Sequence, residues 1–298
     1  MRSGPKTHTR LPAHLQGVRG RREEIRKIKL LLRKAGLHTV CESARCPNMA
    51  ECFSRPTATF MILGHVCTRA CRFCGVQKAM PLPLDEGEPF RLAEAAKKLG
   101  LRYVVVTSVT RDDLQDGGSV LFADTVLALR NSGIQGVELL VPDFKGRTES
   151  IDLVIRSSPD VFAHNIETVP RLYDLARPAS NYRRSLQVIW YAKKHNPAVK
   201  IKSGMMLGLG ETTDEVDQVM DDLLEAGCQI LTIGQYLRPA KQCLPVQRYL
   251  DPEEFNDLEN KAIEKGFQKV IAGPLVRSSY HADALAGEPA MPDSATEK

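Results

Sequence analysis

Aromatic side chains and unbroken apolar runs are both scarce in this chain. Aromatics occupy 6% of 298 positions, with a single tryptophan, so the core must be built mainly from aliphatic residues. Apolar stretches such as Phe60–Leu63 and Val104–Val106 fall far short of the roughly 20 residues a helix needs to cross a bilayer. A membrane partner is therefore not expected. The opening residues MRSGPKTHTR lack the apolar stretch of a secretory signal, which points to the cytoplasm. Repeats and low-complexity tracts are missing too. Hydrophobic content of 43% and charged content of 26% exclude collagen-like, coiled-coil and wholly disordered classes.

The net charge of +5 is unevenly spread. Residues 1–34 carry 11 Lys/Arg against Glu23 and Glu24, a balance of +9, which leaves −4 for the rest. A basic arm on a slightly acidic body suits an acidic partner surface, or it is a solvated tail leading into an amphipathic helix. No aromatics interleave with its basic residues, so nucleic acid is not the expected partner.

Cysteine carries the most information. Six of the eight lie between positions 41 and 74, as Cys41-x4-Cys46-x5-Cys52 and Cys67-x3-Cys71-x2-Cys74. Cys228 and Cys243 stand alone in apolar surroundings and read as core residues. Without a secretory signal, such clustering favours metal over disulfides. A structural zinc site takes four ligands, usually as paired cysteines, whereas each triplet offers three. Thiolate triplets suit iron–sulfur clusters, and three cysteines on a four-iron cluster leave one iron open for chemistry.

From residue 58 onward the pattern alternates. Strand-like runs at Ala58–Leu63, Tyr103–Thr107, Val137–Val141, Val161–Ile166, Val199–Met205 and Ile230–Tyr236 are interleaved with helix-period segments. These helices are Leu92–Leu99, Val120–Arg130, Ile151–Arg156, Tyr182–Lys194 and Asp214–Ala226, with another from Pro252 to Lys265 and a short strand at Lys269–Ala272. Alternation of this kind predicts an α/β fold of parallel strands, a partial (β/α)6-type barrel. No Gly-x-Gly-x-x-Gly follows the first strand, which argues against a doubly wound dinucleotide fold. An amphipathic helix from about Gly20 to Lys34 and a loop-rich cysteine stretch precede the barrel. The expected division is residues 1–56 as a basic extension bearing the first triplet, 57–285 as the barrel with its C-terminal extension, and 286–298 as a frayed tail. The second triplet directly follows the first barrel strand, where α/β barrels place catalytic groups.

Cys67-x3-Cys71-x-Phe73-Cys74 resembles the cluster loop of radical S-adenosylmethionine enzymes. Cys41-Glu-Ser-Ala-Arg-Cys46-Pro-Asn-Met-Ala-Glu-Cys52 resembles the second-cluster motif of the lipoyl synthase family, and Arg277-Ser278-Ser279-Tyr280-His281-Ala282 its terminal motif. Segments around Thr107-Ser108, Arg111–Leu114, His164–Val169 and Lys202–Glu211 are also similar, so the likeness runs from about residue 20 to 285.

That resemblance implies two four-iron clusters and S-adenosylmethionine. The cluster on Cys67, Cys71 and Cys74 would cleave the cofactor to a 5′-deoxyadenosyl radical. The cluster on Cys41, Cys46 and Cys52 would be consumed as the sulfur source. Sulfur would enter at C6 and C8 of an octanoyl chain carried on a lysine of a lipoyl carrier protein, either a 2-oxoacid dehydrogenase E2 or the glycine cleavage H protein. An electron donor such as ferredoxin or flavodoxin, and iron–sulfur assembly proteins, would be the other partners. The hydrogens are on unactivated carbon, beyond the reach of ordinary acids and bases, which is why a cofactor radical is required.

By the same resemblance Ser279 ligates the second cluster; an extended backbone there would turn Ser278 to the opposite face. For the cofactor, Thr107 and Ser108 end the second strand, and Asn165 and Glu167 end the fourth. Lys202 and Ser203 precede Gly204-x3-Gly208-x-Gly210, whose glycines would let backbone approach a ligand. The alternative for each pair is ordinary strand-end hydrogen bonding. His164 reads equally as a core histidine, and Asp112-Asp113 as a loop cap or salt bridge. The rival functions are another sulfur-inserting radical enzyme, a two-cluster electron-transfer protein, and a basic-armed nucleic-acid protein with structural metal.

Overall fold

Branched residues that are buried on both faces, such as the Tyr-Val-Val-Val of 103–106, fit the interior strands of a parallel sheet. In the computed structural model, which describes residues 12–15, 22–43, 46, 48–52 and 57–287, nine strands form. They are β1 Thr57–Ile62, β2 Val66–Cys67, β3 Gln77–Lys78, β4 Tyr103–Ser108, β5 Gly136–Leu140, β6 Val161–Ala163, β7 Lys200–Leu207, β8 Ile230–Gln235 and β9 Lys269–Gly273. Seven of them make one parallel sheet in the order β1-β4-β5-β6-β7-β8-β9, and β2 and β3 form a ribbon that brackets the Cys67–Cys74 loop. Six strand–helix units followed by β9 make the partial barrel that the alternation predicts.

Local chemistry sets the helix ends. Thr212 and Glu215 form a reciprocal capping box that starts helix Thr213–Glu225. Helix Arg22–Lys34 stops at Gly36, whose φ of 66° lets the Leu37 amide reach back 2.9 Å to the Leu32 carbonyl. Leu32 and Leu37 are both buried in the core, completing the hydrophobic contact of that type of helix stop.

The sheet does not close, so β1 and β9 are its edge strands. The N-terminal extension covers the first, where His38 bridges Met61 antiparallel and its carbonyl accepts the Met61 amide at 2.9 Å. The cysteine stretch expected to be loop-rich contains two single-turn helices, Val40–Ser43 and Met49–Cys52. Most of the basic arm before Arg22, Pro47, Pro56 and the tail from Glu288 lie outside the described residues.

A short helix absent from the sequence reading, Ala282–Ala286, packs Ala282 and Ala286 against Tyr103, Val105 and Val161 at the N-terminal end of the barrel. Its last carbonyls are capped by lysines: Lys269 Nζ donates to Ala284 O at 2.9 Å, and Lys200 Nζ donates to Ala286 O. Among the described residues no helix is long and apolar enough to cross a membrane.

Candidate active site

The C-terminal ends of β1, β4, β5 and β6 open into one cavity, lined by Cys67, Cys71 and Cys74 together with Thr107, Ser108, His164, Asn165, Glu167 and Arg177. The three thiols converge, since Cys71 and Cys74 each lie within electrostatic reach of Cys67. Burial pushes the Cys71 thiol up and the Cys74 thiol to about 12. Cys67 Sγ accepts backbone amides from Thr110 at 3.3 Å and Arg69 at 3.4 Å. A cluster binds thiolates, so loading these buried cysteines with iron would release protons.

Around these thiols several buried polar atoms have no partner: Ser108 Oγ, His164 Nε2, Asn165 Oδ1 and Arg177 Nε. Buried polar groups in native proteins are normally satisfied, so four orphans in one cavity describe a site built for a polar ligand. His164 Nδ1 lies 2.8 Å from Val141 O, and burial lowers the imidazole to about 4, leaving it neutral with Nε2 as an acceptor. Glu167 adopts a left-handed φ of 68°, and its Oε1 accepts from Asn165 Nδ2 at 3.1 Å. Burial raises the Glu167 carboxyl and the Arg177 charge opposes that rise.

The cysteine loop is anchored by a buried ionic network. Arg69 donates to both oxygens of Asp112, at 2.7 and 2.9 Å, and to Asp143 at 2.6 Å. Asp143 is sealed from solvent and also accepts Arg184 at 2.7 Å; these contacts outweigh its burial and hold it below the usual carboxylate range. Asp112 is therefore a salt-bridge residue, and Asp113 likewise pairs with Arg111 at 2.8 Å. Cys243 backs the same loop, with its thiol 3.6 Å from Cys74 O. Cys228 is a core residue.

A second cavity lies at the other end of β1, lined by Cys41, Cys52, Thr57, Ala58, Thr59, Ser279, His281 and Asp283. Cys46 joins Cys41 by a thiol hydrogen bond, which lowers Cys46 and raises Cys41; the Asn48 backbone and the Arg277 charge lower Cys46 further. Between Thr57 and Ile62 the strand rises about 16 Å, so the thiol sets stand at opposite ends of one strand. Residues 277–281 form a turn, with Tyr280 N donating to Arg277 O at 2.8 Å, and are not extended. Strand alternation therefore does not separate Ser278 from Ser279, although Ser279 is the serine lining the cavity. Among the described residues no trio of His, Cys, Asp or Glu is gathered as ligands of one metal ion. A cluster asks for a wider trio, because its thiolates bind separate irons.

The radical SAM superfamily profile matches residues 61–223. A lipoyl synthase of Methylococcus capsulatus is 54% identical over 284 residues, covering 95% of this chain and 88% of its own. One from Caldanaerobacter subterraneus is 54% identical over 261 residues, covering 88% and 92%. The chain belongs to the lipoyl synthase family. Methylornithine synthase PylB, a solved structure at 12% identity, superposes with a TM-score of 0.53 over 86% of this chain and 79% of that one, and shares the fold. SuiB of Streptococcus suis, 11% identical, gives 0.58 over 83% and 52%.

Of the residues expected to meet the family's cofactor, Thr107, Ser108, Asn165 and Glu167 line the first cavity. Thr107 Oγ1 donates to Leu140 O at 3.0 Å and so keeps only acceptor capacity. Lys202 and Ser203, expected to meet the cofactor, do not line the cavity. Lys202 is sealed in the barrel, where Nζ donates to Glu138 at 2.9 and 3.0 Å. Ser203 is fully buried, donating to His164 O at 2.9 Å and accepting Ile166 N at 3.1 Å. The glycines after them do not line the cavity either. Gly204 serves it indirectly: a Cβ there would stand 3.1 Å from Asn165 Oδ1 and 2.6 Å from Thr232 Oγ1.

Sequence reasoning missed Arg69 and Arg177 and set His164 aside. Arg69 had one visible clue, a cation inside the cysteine loop. Arg177 had none, since it ends the short helix Tyr173–Ala176, which has no clear period.

Proposed function

We propose that the chain is a lipoyl synthase, inserting two sulfur atoms at C6 and C8 of an octanoyl chain borne on a lysine of a lipoyl carrier protein. The observation that carries this reading is the second cavity, where Cys41 and Cys52, with Cys46 hydrogen-bonded to Cys41, share a wall with Ser279. Generating a radical needs only the first thiol set. A second set at the far end of the same strand suits a sulfur donor.

Cys67, Cys71 and Cys74 would hold one four-iron cluster and leave an iron open toward the cavity. Cys41, Cys46, Cys52 and Ser279 would hold the other. When bound, the first cluster and S-adenosylmethionine supply a carbon radical able to take hydrogen from unactivated C–H bonds. The rest falls to the chain's own side chains. Ser108 and Asn165 offer unpaired polar atoms to the cofactor, and neutral His164 offers an acceptor. Arg177 brings a buried positive charge beside Cys71 and Glu167. The Arg69 network fixes the loop whose cysteines would hold the first cluster beside the cavity. A two-cluster electron carrier has no use for a polar cavity beside one cluster.

The carrier would be an octanoylated E2 domain or H protein, with ferredoxin or flavodoxin as electron donor and assembly proteins rebuilding the consumed cluster. The test is anaerobic reconstitution followed by turnover on an octanoyl-lysyl peptide. About eight irons per chain and a product bearing two new sulfurs are expected. Cofactor cleavage with no sulfur in the product would reject the reading.

A further inference from the structure

We infer that Glu51 is a positioning residue that clasps the C-terminal turn onto the first cysteine triplet and so holds Ser279 in the second cavity. This rests on the reading of that cavity as a cluster site. Ser279 comes from a turn 227 residues after Cys52, and nothing in the local backbone obliges the two to meet. Glu51, next to Cys52 on the helix Met49–Cys52, supplies the link. Its Oε1 accepts Tyr280 Oη at 3.0 Å and lies 2.9 Å from His281 Nε2. These two rings follow Ser279 directly and stack with centroids 4.0 Å apart, so one carboxylate oxygen grips a rigid pair.

The contacts on either side agree in register. Buried Asn48 donates from Nδ2 to Leu275 O at 2.6 Å, just before the turn. Arg277 stands within electrostatic reach of Cys46. Past the turn, Lys200 and Lys269 hold the carbonyls of helix Ala282–Ala286. Asn48 and the lysines fix the flanks of the C-terminal segment. Glu51 engages the turn itself, one residue from a cysteine of the triplet and one from the serine. His281 is held at a left-handed φ of 50°, a conformation non-glycine residues adopt when surrounding contacts impose it. The role needs an acceptor more than a charge. Glu51→Gln offers an acceptor oxygen to the same donors and should rescue; Glu51→Ala should not.

The experiment compares full-length wild type, Glu51→Ala, Glu51→Gln and Tyr280→Phe by amide hydrogen exchange and by iron content after anaerobic reconstitution. In Glu51→Ala, exchange over residues 277–287 should quicken by about tenfold or more, while strands β4–β8 keep their protection. Iron should fall from about eight to about four per chain, with cofactor cleavage intact. Glu51→Gln should resemble wild type, and Tyr280→Phe should fall between. Wild-type exchange and iron in Glu51→Ala would overturn the inference, as would loss of protection throughout the barrel. If Glu51→Ala fails to fold, Tyr280→Phe, which removes one hydroxyl from the clasp, decides by the same readings. Uptake of only about four irons by wild type would sink the two-site reading beneath the inference, and the iron count reports that separately from exchange.

Discussion

Lys202 Nζ lies 2.9 and 3.0 Å from the two carboxylate oxygens of Glu138, with both side chains shut off from solvent inside the barrel. Burial raises the Glu138 carboxyl, Lys202 opposes that rise, and Tyr103 Oη adds a hydrogen bond at 3.3 Å. Removing the ammonium strands a buried carboxylate. Lys202→Met should therefore cost about 3–5 kcal/mol in denaturant unfolding. Lys202→Met combined with Glu138→Leu should recover much of that. A stable Lys202→Met whose only defect is weak cofactor binding would instead restore this lysine to the site.

The two thiol sets should separate by function. Cys71→Ala removes one of three ligands beside the open cavity and should abolish formation of 5′-deoxyadenosine. Cys46→Ala should keep that cleavage and lose sulfur insertion. Product and 5′-deoxyadenosine per chain in a single turnover decide it; equal loss of cleavage in both variants contradicts the division.

Arg177 lines the cavity with its buried Nε unpaired, while its Nη1 donates to Asn165 O at 3.1 Å and Tyr173 Oη at 3.0 Å. Charged hydrogen bonds contribute about 1.5–3 kcal/mol, so Arg177→Met should weaken S-adenosylmethionine binding by roughly 10- to 100-fold. The iron held by the first triplet should stay. Equilibrium binding to the reconstituted chain measures both, and undiminished affinity would remove Arg177 from the site.

His164 makes stability depend on pH. Burial lowers it from 6.5 to about 4, so between those values the unfolded chain binds a proton that the folded chain refuses. Stability from this residue is complete above about pH 6.5 and falls as pH drops toward 4, by on the order of 3 kcal/mol. Replacing it, as in His164→Asn, should flatten urea-unfolding stability across that window relative to wild type. Parallel profiles would mean the imidazole accepts its proton in the folded state.

Much of the fold was legible because period and burial coincide: β4 and helix Thr213–Glu225 begin within one residue of where their patterns do. Ser108 and Asn165 were legible for a related reason, since strand ends in a parallel barrel point polar groups at one opening. Lys202 misled because it stands beside glycines that would let backbone approach a ligand. Its partner Glu138 is 64 residues away on a strand two places across the sheet, a pairing no local pattern announces. Arg69 and Arg177 escaped similarly, their value depending on carboxylates and thiols gathered by the tertiary fold. Glu51 and Tyr280, 229 residues apart, show no pairing until the open edges of the barrel bring the two extensions together.

The separation of Cys52 from Ser279 bears on the order in which the molecule is made. Cys67, Cys71 and Cys74 fall within eight consecutive positions, so that loop has all its thiols early in synthesis. Ser279 and the rings that Glu51 grips are made more than 200 residues after Cys52. A nascent chain folding from its N-terminus thus carries the first triplet with its fourth wall missing until the barrel stands behind it. Were iron to reach the first triplet before then, it would find no serine beside it; afterwards it would find the cavity closed by Ser279.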